Sequence, residues 1–412
     1  MRRLEFYYDF VCPYAYLASL RIEALAERVG VDVTYIPMLL GGVFRAIGSP
    51  DVPMHDVPAS KAKYMKSALE RAAEVDGVVL HEPANHPRRT VLALRAAIAC
   101  DDLRAATHAL FGAYWREGRD LENDAEVRAA LDRAGLDGAR AIRTASEQRI
   151  KDALRINTER AIDCGVFGAP SFFVTDDTRA DLYWGNDRLA FVERALRASG
   201  EIEDRPSERP SAPAVAPEVD FYFDFSSPFA YLASTQIEAI TARTGATIAL
   251  KPVLLGGLFR SIGTPDVPLF EMPEPKRRYQ LLDLERWAAS YGVPFRFPSR
   301  FPMNTVKALR LALVCPEERQ LDLVHAIFAA LWAEDRDISN EEELRAICSA
   351  LSLDVGPLFA KVGASETKAV LRAGTDDAER RGIFGVPTFV VGDELFWGQD
   401  RIELVERAIL RA

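Results

Sequence analysis

The stretch DFVCPYAYLAS, at residues 9–19, places a cysteine directly before a proline. Proline is favoured in the first turn of a helix, because the N–H that it lacks would have no partner there. The stretch therefore predicts a helix that begins at Pro13, with Cys12 at its N-cap. Position 15 is alanine, so the second cysteine of a Cys-x-x-Cys pair is absent and the role of the single sulfur is open.

This stretch is one of several that occur twice. It returns at residues 224–234 as DFSSPFAYLAS, with serine in place of the cysteine. The repeated unit is a whole domain, and the sequence predicts two tandem domains, residues 1–198 and 219–412, joined by an exposed, Pro-rich linker at residues 199–218. The other repeated pairs are PMLLGGVFRAIGSPDVP at 37–53 with PVLLGGLFRSIGTPDVP at 252–268, TVLALRAAIAC at 90–100 with TVKALRLALVC at 305–315, FGAPSFFV at 167–174 with FGVPTFVV at 384–391, and WGNDR at 184–188 with WGQDR at 397–401.

Composition narrows the class of protein. The chain has 412 residues, of which 49% are hydrophobic, enough for two domains with full cores. A net charge of −10 argues against nucleic acid as a partner, because phosphate attracts a basic surface. No apolar run approaches the ~20 residues of a membrane helix, so no membrane partner is expected. The five cysteines are scattered, which argues against a disulfide framework and favours a cytoplasmic location.

Both halves are expected to follow one order of elements. In the first half, a strand at residues 4–10 leads into a helix with apolar Leu17, Leu20, Ile22 and Leu25, and a second strand covers residues 31–38. More than a hundred residues of helical pattern follow, then short strands at 170–174 and 181–184, and a last helix near Arg188. This order predicts an α/β protein of two tandem thioredoxin-like domains, each with an inserted all-helical subdomain.

The helix start is the first candidate for chemistry. Unpaired N–H groups and the positive end of the helix dipole point at the N-cap, so a thiolate of Cys12 would be stabilised and its pKa lowered. The serine at the equivalent position, Ser227, cannot ionise but can donate a hydrogen bond to a thiolate that a ligand brings. The simpler alternatives are ordinary helix capping by Ser227 and a buried, unreactive Cys12.

A second candidate is the proline at the head of the third strand in each half. Pro170 and Pro387 cannot donate to a β-ladder. We expect both to follow cis peptide bonds and to face the helix start, leaving the N–H and C=O of Ala169 and Val386 available to an extended peptide-like ligand. The alternative is an edge-strand proline without such a role.

The motifs WGNDR and WGQDR supply a third candidate. Asp187 and Asp400 stand just before the last helix of each half and are suited to cap it. A carboxylate at this position could also accept hydrogen bonds from the ammonium group of a ligand.

Taken together, the motifs of the second half resemble those of the 2-hydroxychromene-2-carboxylate isomerases. These enzymes are relatives of the kappa-class glutathione transferases in the DsbA-like thioredoxin superfamily. The resemblance spans nearly all of residues 219–412 and extends more loosely over the first half. The stretches that carry it are DFSSPFAYL at 224–232, FPMN at 301–304, FGVP at 384–387 and WGQDR at 397–401.

The resemblance implies glutathione as the cofactor and a small aromatic compound as the substrate. In the family reaction, the glutathione thiolate adds to a conjugated aromatic α-keto acid, a bond rotates and the thiol leaves. The implied roles in the second half are as follows: Ser227 beside the glutathione sulfur, Val386 and Pro387 on its cysteinyl backbone, Gln399 and Asp400 on its γ-glutamyl end, and Asn304 near the substrate. By position, Ala169, Pro170 and Asp187 would serve in the first half.

The two halves differ at several of these positions. Cys12 stands where the second half has Ser227, and Arg89 stands where it has Asn304. The second half therefore keeps the family pattern and the first departs from it. Three further differences are His86 for Phe301, Ala68 for Asp283 and Ala72 for Trp287, and both halves carry Ser49 or Thr264 where the family usually has asparagine.

Three hypotheses follow. The first is a glutathione-dependent isomerase, or a transferase of the kappa type, with its working site in the second half. The second is a thiol-disulfide oxidoreductase that uses Cys12, although Ala15 could not resolve a mixed disulfide. The third is a binding or scaffold role in which the first half supports the second as an intramolecular pseudo-dimer.

Overall fold

The structure is a computed structural model that describes residues 2–50, 56–84, 86–197 and 217–412. The chain divides into two compact units. The first unit comprises Met1–Asp56, Met65–Arg205 and Pro273–Lys276, and the second comprises Val57–Tyr64, Pro206–Met272 and Arg277–Ala412. Residues 199–216 of the predicted linker lie outside the described residues.

The first unit contains a four-stranded mixed sheet in the order β2-β1-β3-β4. Strand β1 lies in the middle, parallel to β2 and antiparallel to β3. A parallel neighbour requires a crossover, and the helix that begins at Pro13 provides it. The strands are β1 (Arg3–Tyr8), β2 (Val33–Pro37), β3 (Ser171–Thr175) and β4 (Ala180–Trp184).

Helices fill the long interval between β2 and β3, as the sequence predicts, and a last helix follows β4. The segment Gly112–Arg116 continues α5 as a π-helix. The helices, in chain order, are α1 (Pro13–Val29), α2 (Leu40–Ala46), α3 (Ala59–Val75), α4 (Val91–Ala99), α5 (Leu103–Phe111), α6 (Asp124–Arg133), α7 (Gly138–Ala145), α8 (Gln148–Asp163) and α9 (Leu189–Leu196).

The second unit repeats this arrangement with a sheet in the order β6-β5-β7-β8. Its strands are β5 (Glu218–Phe223), β6 (Thr247–Pro252), β7 (Thr388–Val391) and β8 (Glu394–Trp397). Its helices are α10 (Pro228–Ser234), α11 (Ile237–Thr244), α12 (Leu255–Ser261), α13 (Pro268–Glu271), α14 (Glu274–Tyr291), α15 (Val306–Val314), α16 (Glu317–Trp332), α17 (Glu341–Ala350), α18 (Val355–Val362), α19 (Ser365–Arg380) and α20 (Ile402–Arg411).

Aromatic side chains from the central strands form the core of each unit. In the first unit, Phe6 of β1 stacks on Phe172 of β3 with ring centroids 5.4 Å apart. In the second unit, Phe221 of β5 packs against Phe389 of β7 at 4.8 Å. Strands covered on both faces read as nearly continuous apolar runs, which is why the sequence pattern located them. The predicted α/β class, two thioredoxin-like domains with helical insertions, is confirmed.

Two details differ from the sequence-based expectations. Strand β1 ends at Tyr8 rather than at residue 10, where its pairing with β2 ends, and the carboxylate of the next residue, Asp9, accepts a hydrogen bond from the backbone N–H of Leu40 at 2.9 Å. Leu20, expected on the apolar side of α1, is 41% exposed. Within the described ranges, no helix is both long and apolar enough to cross a membrane.

Candidate active site at the helix starts

The helix after the first strand of each unit begins at proline, as predicted. Pro13 opens α1 and Pro228 opens α10, and the residues before them, Cys12 and Ser227, are the N-caps. Both N-caps have extended backbones, with φ −94° at Cys12 and −99° at Ser227. The two units therefore present a thiol and a hydroxyl in the same backbone setting.

Ser227 makes two hydrogen bonds through its hydroxyl group. The oxygen accepts from the backbone N–H of Ala230 at 3.2 Å, which is the predicted helix cap. The hydroxyl donates to the carbonyl oxygen of Val386 at 3.1 Å. Ser227 is 4% exposed, and these two bonds hold its hydroxyl between the helix start and the residue before the cis proline that leads into β7.

Cys12 occupies the same position but behaves differently. Its sulfur donates to the carbonyl oxygen of Ala169 at 3.1 Å and does not cap α1. Burial raises the pKa of the Cys12 thiol to about 12, although the nearby backbone N–H groups of the helix start lower it in part. The predicted lowering of this pKa is therefore wrong: desolvation of the thiolate outweighs the stabilisation by the helix start.

The peptide bonds before Pro170 and Pro387 are cis, as predicted. The hydrogen bonds from Cys12 and Ser227 show that both prolines face the helix starts. The carbonyl groups of Ala169 and Val386 were expected to be available to a ligand. They are not, because the side chains of Cys12 and Ser227 donate hydrogen bonds to them. The backbone N–H of Val386, a residue only 5% exposed, makes no hydrogen bond with any residue that the structure describes.

A glycine and a tryptophan pack closely beside the cis proline of the second unit. A Cβ atom on Gly385 would lie 3.0 Å from Nε1 of Trp397, so a larger residue here would have to displace the indole by a few tenths of an ångström. The backbone N–H of Gly398 donates to the carbonyl oxygen of Pro387 at 3.0 Å. These contacts bring the WGQDR motif to the cis proline and place Asp400 two residues beyond that hydrogen bond.

The aspartates of the WG-x-DR motifs do not cap the last helices. Helix α20 begins at Ile402 with Arg401 as its N-cap, and α9 is likewise preceded by an arginine. The predicted capping role of Asp187 and Asp400 is therefore wrong. The side chain of Asp400 is 11% exposed, and its Oδ1 lies 3.6 Å from Nε of Arg401.

Gln399, the residue before Asp400, is held by a contact with α14. It is 3% exposed, and its backbone carbonyl accepts a hydrogen bond from the hydroxyl of Tyr291 at 2.6 Å. This bond ties α14 to the turn that carries Asp400. The predicted ligand contact of Gln399 stays a prediction.

A buried aspartate that the sequence did not single out connects the parts of the site. The carboxylate of Asp224 accepts from the backbone N–H groups of Ser226 at 3.0 Å and Leu255 at 2.8 Å, and from the hydroxyl of Thr305 at 2.7 Å. Burial raises the pKa of Asp224 above its ordinary value, and these donors lower it in part. The recurrence of this aspartate in both repeats was the available signal.

Through Asp224, Asn304 is held near the helix start. Asn304 is exposed and adjacent to Thr305, and its side-chain oxygen accepts from the backbone N–H of Val306 at 3.0 Å. Its counterpart in the first unit, Arg89, is also exposed. Ser227 thus bonds directly to Val386, the residue before Pro387, whereas Asn304 and Asp400 are connected to this region through neighbouring residues.

Comparisons with known proteins agree with this geometry. A family model described as a DSBA-like thioredoxin domain matches residues 3–197 and again residues 218–410. The 2-hydroxychromene-2-carboxylate isomerase of Sphingobium xenophagum is 32% identical over 192 residues, which covers 47% of this chain and 97% of that protein. The glutathione S-transferase kappa 2 of Caenorhabditis elegans is 28% identical over 202 residues, covering 45% and 89% respectively.

Among solved structures, that of a 2-hydroxychromene-2-carboxylate isomerase matches with 30% identity and a TM-score of 0.43. It covers 47% of this chain and 95% of its own. Two tandem matches of one family model confirm the predicted duplication. The chain belongs to the DSBA-like thioredoxin domain family.

Proposed function

We propose that the second unit is a glutathione-dependent isomerase that acts on small aromatic compounds. The observation that carries this proposal is the N-cap hydroxyl of Ser227, held against the residue before a cis proline. This hydroxyl is a hydrogen-bond donor at the start of a helix, the position in which a thiolate is best stabilised. The isomerase and transferase names of the relatives support the same class of chemistry.

The residues around Ser227 fit a glutathione molecule. The N–H of Val386 has no partner among the described residues, although the residue is buried, and an extended peptide ligand would supply the missing acceptor. Asp400 offers a carboxylate to the ammonium group of the γ-glutamyl residue. Val386 and Pro387 would hold the cysteinyl backbone, and Asp400 would hold the amino end.

Bound in this way, glutathione would supply a nucleophilic sulfur that adds reversibly to a conjugated double bond, permits rotation and leaves unchanged. The chain's own contribution begins with Ser227. Its oxygen is anchored by the N–H of Ala230, and its proton, which now points to the Val386 carbonyl, would be the donor available to a bound sulfur. Asn304, exposed beside this region, would orient the polar part of the substrate through its amide.

The alternative function is a thiol-disulfide oxidoreductase, which needs an activated thiolate at Cys12. The structure does not provide one. Burial raises the pKa of the Cys12 thiol to about 12, so the thiol stays protonated at neutral pH. Its sulfur is also engaged with the Ala169 carbonyl. The nucleophile of the proposed reaction is therefore the ligand's sulfur, and Cys12 has no part in it.

Calorimetry of glutathione binding to the full chain tests the proposal, with Asp400→Asn and Asp187→Asn as a matched pair. Loss of one charge-assisted hydrogen bond costs about 1.5–3 kcal/mol, so Asp400→Asn should weaken binding about 10–100-fold. Asp187→Asn makes the same change in the first unit and should leave the affinity of this site unchanged.

The second part of the test is turnover. Addition of glutathione should accelerate the cis–trans isomerisation of an aryl-substituted unsaturated α-keto acid by the wild-type chain. If glutathione gives no binding heat and no acceleration, the isomerase proposal is wrong. Equal weakening by both aspartate variants would instead show that both units bind glutathione.

A further inference from the structure

A cluster of partly exposed aromatic rings lies beside Asn304 in the second unit. Phe297 and Phe301 have ring centroids 5.0 Å apart, and Phe270 lies edge-on to Phe301 at 6.1 Å. Phe270 is 52% exposed, and the other two rings are half-buried. We call these three residues the aromatic face; Met303, also half-buried, separates it from Asn304 in the chain.

Trp332 connects the aromatic face to the segment before the helix start. Phe297 and Phe301 pack on Trp332, with centroids 5.8 and 6.1 Å from its ring. The indole N–H of Trp332 donates to the carbonyl oxygen of Phe225, two residues before Ser227, at 2.8 Å. Trp332 therefore links the aromatic face to the segment that leads into the proposed sulfur site.

The first unit holds the corresponding loop by the same contacts. The backbone N–H of His81 donates to the Trp115 carbonyl at 2.7 Å, as that of Arg296 does to the Trp332 carbonyl at 2.6 Å. The Trp115 indole donates to the carbonyl of Phe10 at 2.8 Å. The two loops thus share one set of anchors, and the fold imposes the same backbone on both.

The side chains that these loops carry are nevertheless of opposite character. Glu82 stands in place of Phe297, His86 in place of Phe301, and Arg88 in place of Met303. His86 pairs with the hydroxyl of Tyr114 through Nδ1 at 2.9 Å. Arg88 forms ion pairs with two carboxylates, those of Asp120 and Glu122. In the first unit the fold accommodates polar groups at all three positions, so this loop backbone does not by itself require apolar residues there.

From this internal comparison we infer that the aromatic face sets substrate specificity: the second unit selects electrophiles that carry an aryl group, and the first unit lacks this selection. The inference rests on the proposed function. A planar ring is the occupant that the aromatic face fits, because edge-on and offset contacts with phenyl rings add to the burial of apolar area. Exposed apolar rings that the fold does not need are otherwise a cost to solubility.

Two substrates isolate this effect. They are the cis isomers of 2-oxo-4-phenylbut-3-enoate and 2-oxopent-3-enoate. Both contain the unsaturated α-keto acid, and the first carries a phenyl group where the second carries a methyl group. The measurement is glutathione-dependent kcat/KM for each, on the full chain and on the triple variant F297E/F301H/M303R. This variant copies the first unit, where the same loop anchors carry these residues. Phe301→Leu, which keeps an apolar side chain, is the second variant and covers failure of the triple variant to fold.

We expect the phenyl-to-methyl ratio of kcat/KM to fall at least tenfold in the triple variant and about threefold in Phe301→Leu. The affinity for glutathione should remain within twofold. The converse variant E82F/H86F/R88M, in the first unit, should leave the ratio unchanged.

A ratio that stays within twofold in both second-unit variants would overturn the inference while leaving the proposed function intact. A changed oligomeric state with an unchanged ratio would also overturn it, because the aromatic face would then be a contact between copies. If the wild-type chain isomerises neither substrate, the proposed function fails and this inference with it.

Discussion

The hydroxyl group of Ser227 lies between two partners, donating to the carbonyl oxygen of Val386 at 3.1 Å and accepting from the N–H of Ala230 at 3.2 Å. The second bond fixes the oxygen at the helix start, and the first is one that a better acceptor can replace. A thiolate is such an acceptor, since hydrogen bonds to ionised groups are stronger than those to neutral ones.

Ser227→Ala should therefore raise the pKa of the bound glutathione thiol. A hydrogen bond to a charged group contributes about 1.5–3 kcal/mol, which corresponds to about 1–2 pKa units. The change is read from thiolate absorbance as the complex is titrated with base. At pH values below the thiol pKa of the wild-type complex, turnover should fall about 10–100-fold, in step with the lost thiolate.

The control for this variant is Ser234→Ala, at the end of the same helix. Ser234 is also buried, but its hydroxyl donates only to the carbonyl oxygen of Tyr231 at 2.7 Å. It should leave the thiol pKa unchanged. If Ser227→Ala also leaves it unchanged, Ser227 is a helix cap and nothing more.

The sequence predicted the helix starts well, because proline tolerates few positions and the repeat showed the motif twice. It did not predict the state of Cys12. The pKa of that thiol is decided by burial, in part under the Ala169 carbonyl, which is 157 residues away in the chain. Long-range burial of this kind has no signature in the residues that flank the cysteine.

The sequence also did not predict which polar and apolar side chains cluster around the site. A repeated aspartate was visible in the sequence, but two of its three donors, Leu255 and Thr305, lie 31 and 81 residues away in the chain, and only the fold brings them to Asp224. Likewise, the exchange of Phe301 for His86 was visible, whereas the packing of Phe301 with Phe270 and Phe297 was not. Local patterns report local geometry, and these clusters are built from distant segments.

The raised pKa of Cys12 makes a direct prediction for thiol labelling. With iodoacetamide at pH 7.5, native Cys12 should react at least about 100-fold more slowly than Cys164, which is exposed. Peptide mass mapping at timed intervals measures both rates. In urea all five cysteines should label, which controls for detection. Labelling of Cys12 as fast as that of Cys164 would restore the oxidoreductase hypothesis.

Thr305→Val should weaken the link between the helix start and Asn304. Valine removes the hydroxyl that donates to Asp224 and leaves a buried carboxylate with one donor fewer, at a cost of about 1.5–3 kcal/mol. Burial already raises the pKa of Asp224, and loss of this donor raises it further. Because the lost bond favours the ionised form, the deficit should be largest at high pH and shrink as pH falls through the folded-state pKa.

Urea unfolding of the full chain at several pH values measures this deficit. Thr90→Val is the parallel variant, since the hydroxyl of Thr90 donates to Asp9 in the same way in the first unit. It should show a deficit of the same size and the same pH dependence. A deficit that does not vary with pH in either variant would contradict the role given to the two carboxylates.

The last prediction concerns Glu23, which lies at the centre of a polar cluster in the first unit. Burial alone would raise the pKa of Glu23, but hydrogen bonds from Arg104, Tyr35 and His108 lower it to about 2. A lowered folded-state pKa contributes stability that is fully present above the ordinary value near 4.5 and is lost as pH falls toward 2. The cluster should therefore stabilise the first unit at neutral pH and cease to do so in acid.

Glu23→Gln should lower the free energy of unfolding by about 1–2 kcal/mol at pH 7, after allowance for solvent screening of a partly exposed group, and by much less at pH 2.5. The matched control is Glu238→Gln, the counterpart in the second unit, where the carboxylate side chain is 60% exposed and lies 3.4 Å from His325. It should change stability by less than about 0.5 kcal/mol at either pH. Equal effects of the two variants at pH 7 would show that the Glu23 cluster adds no more stability than an exposed ion pair.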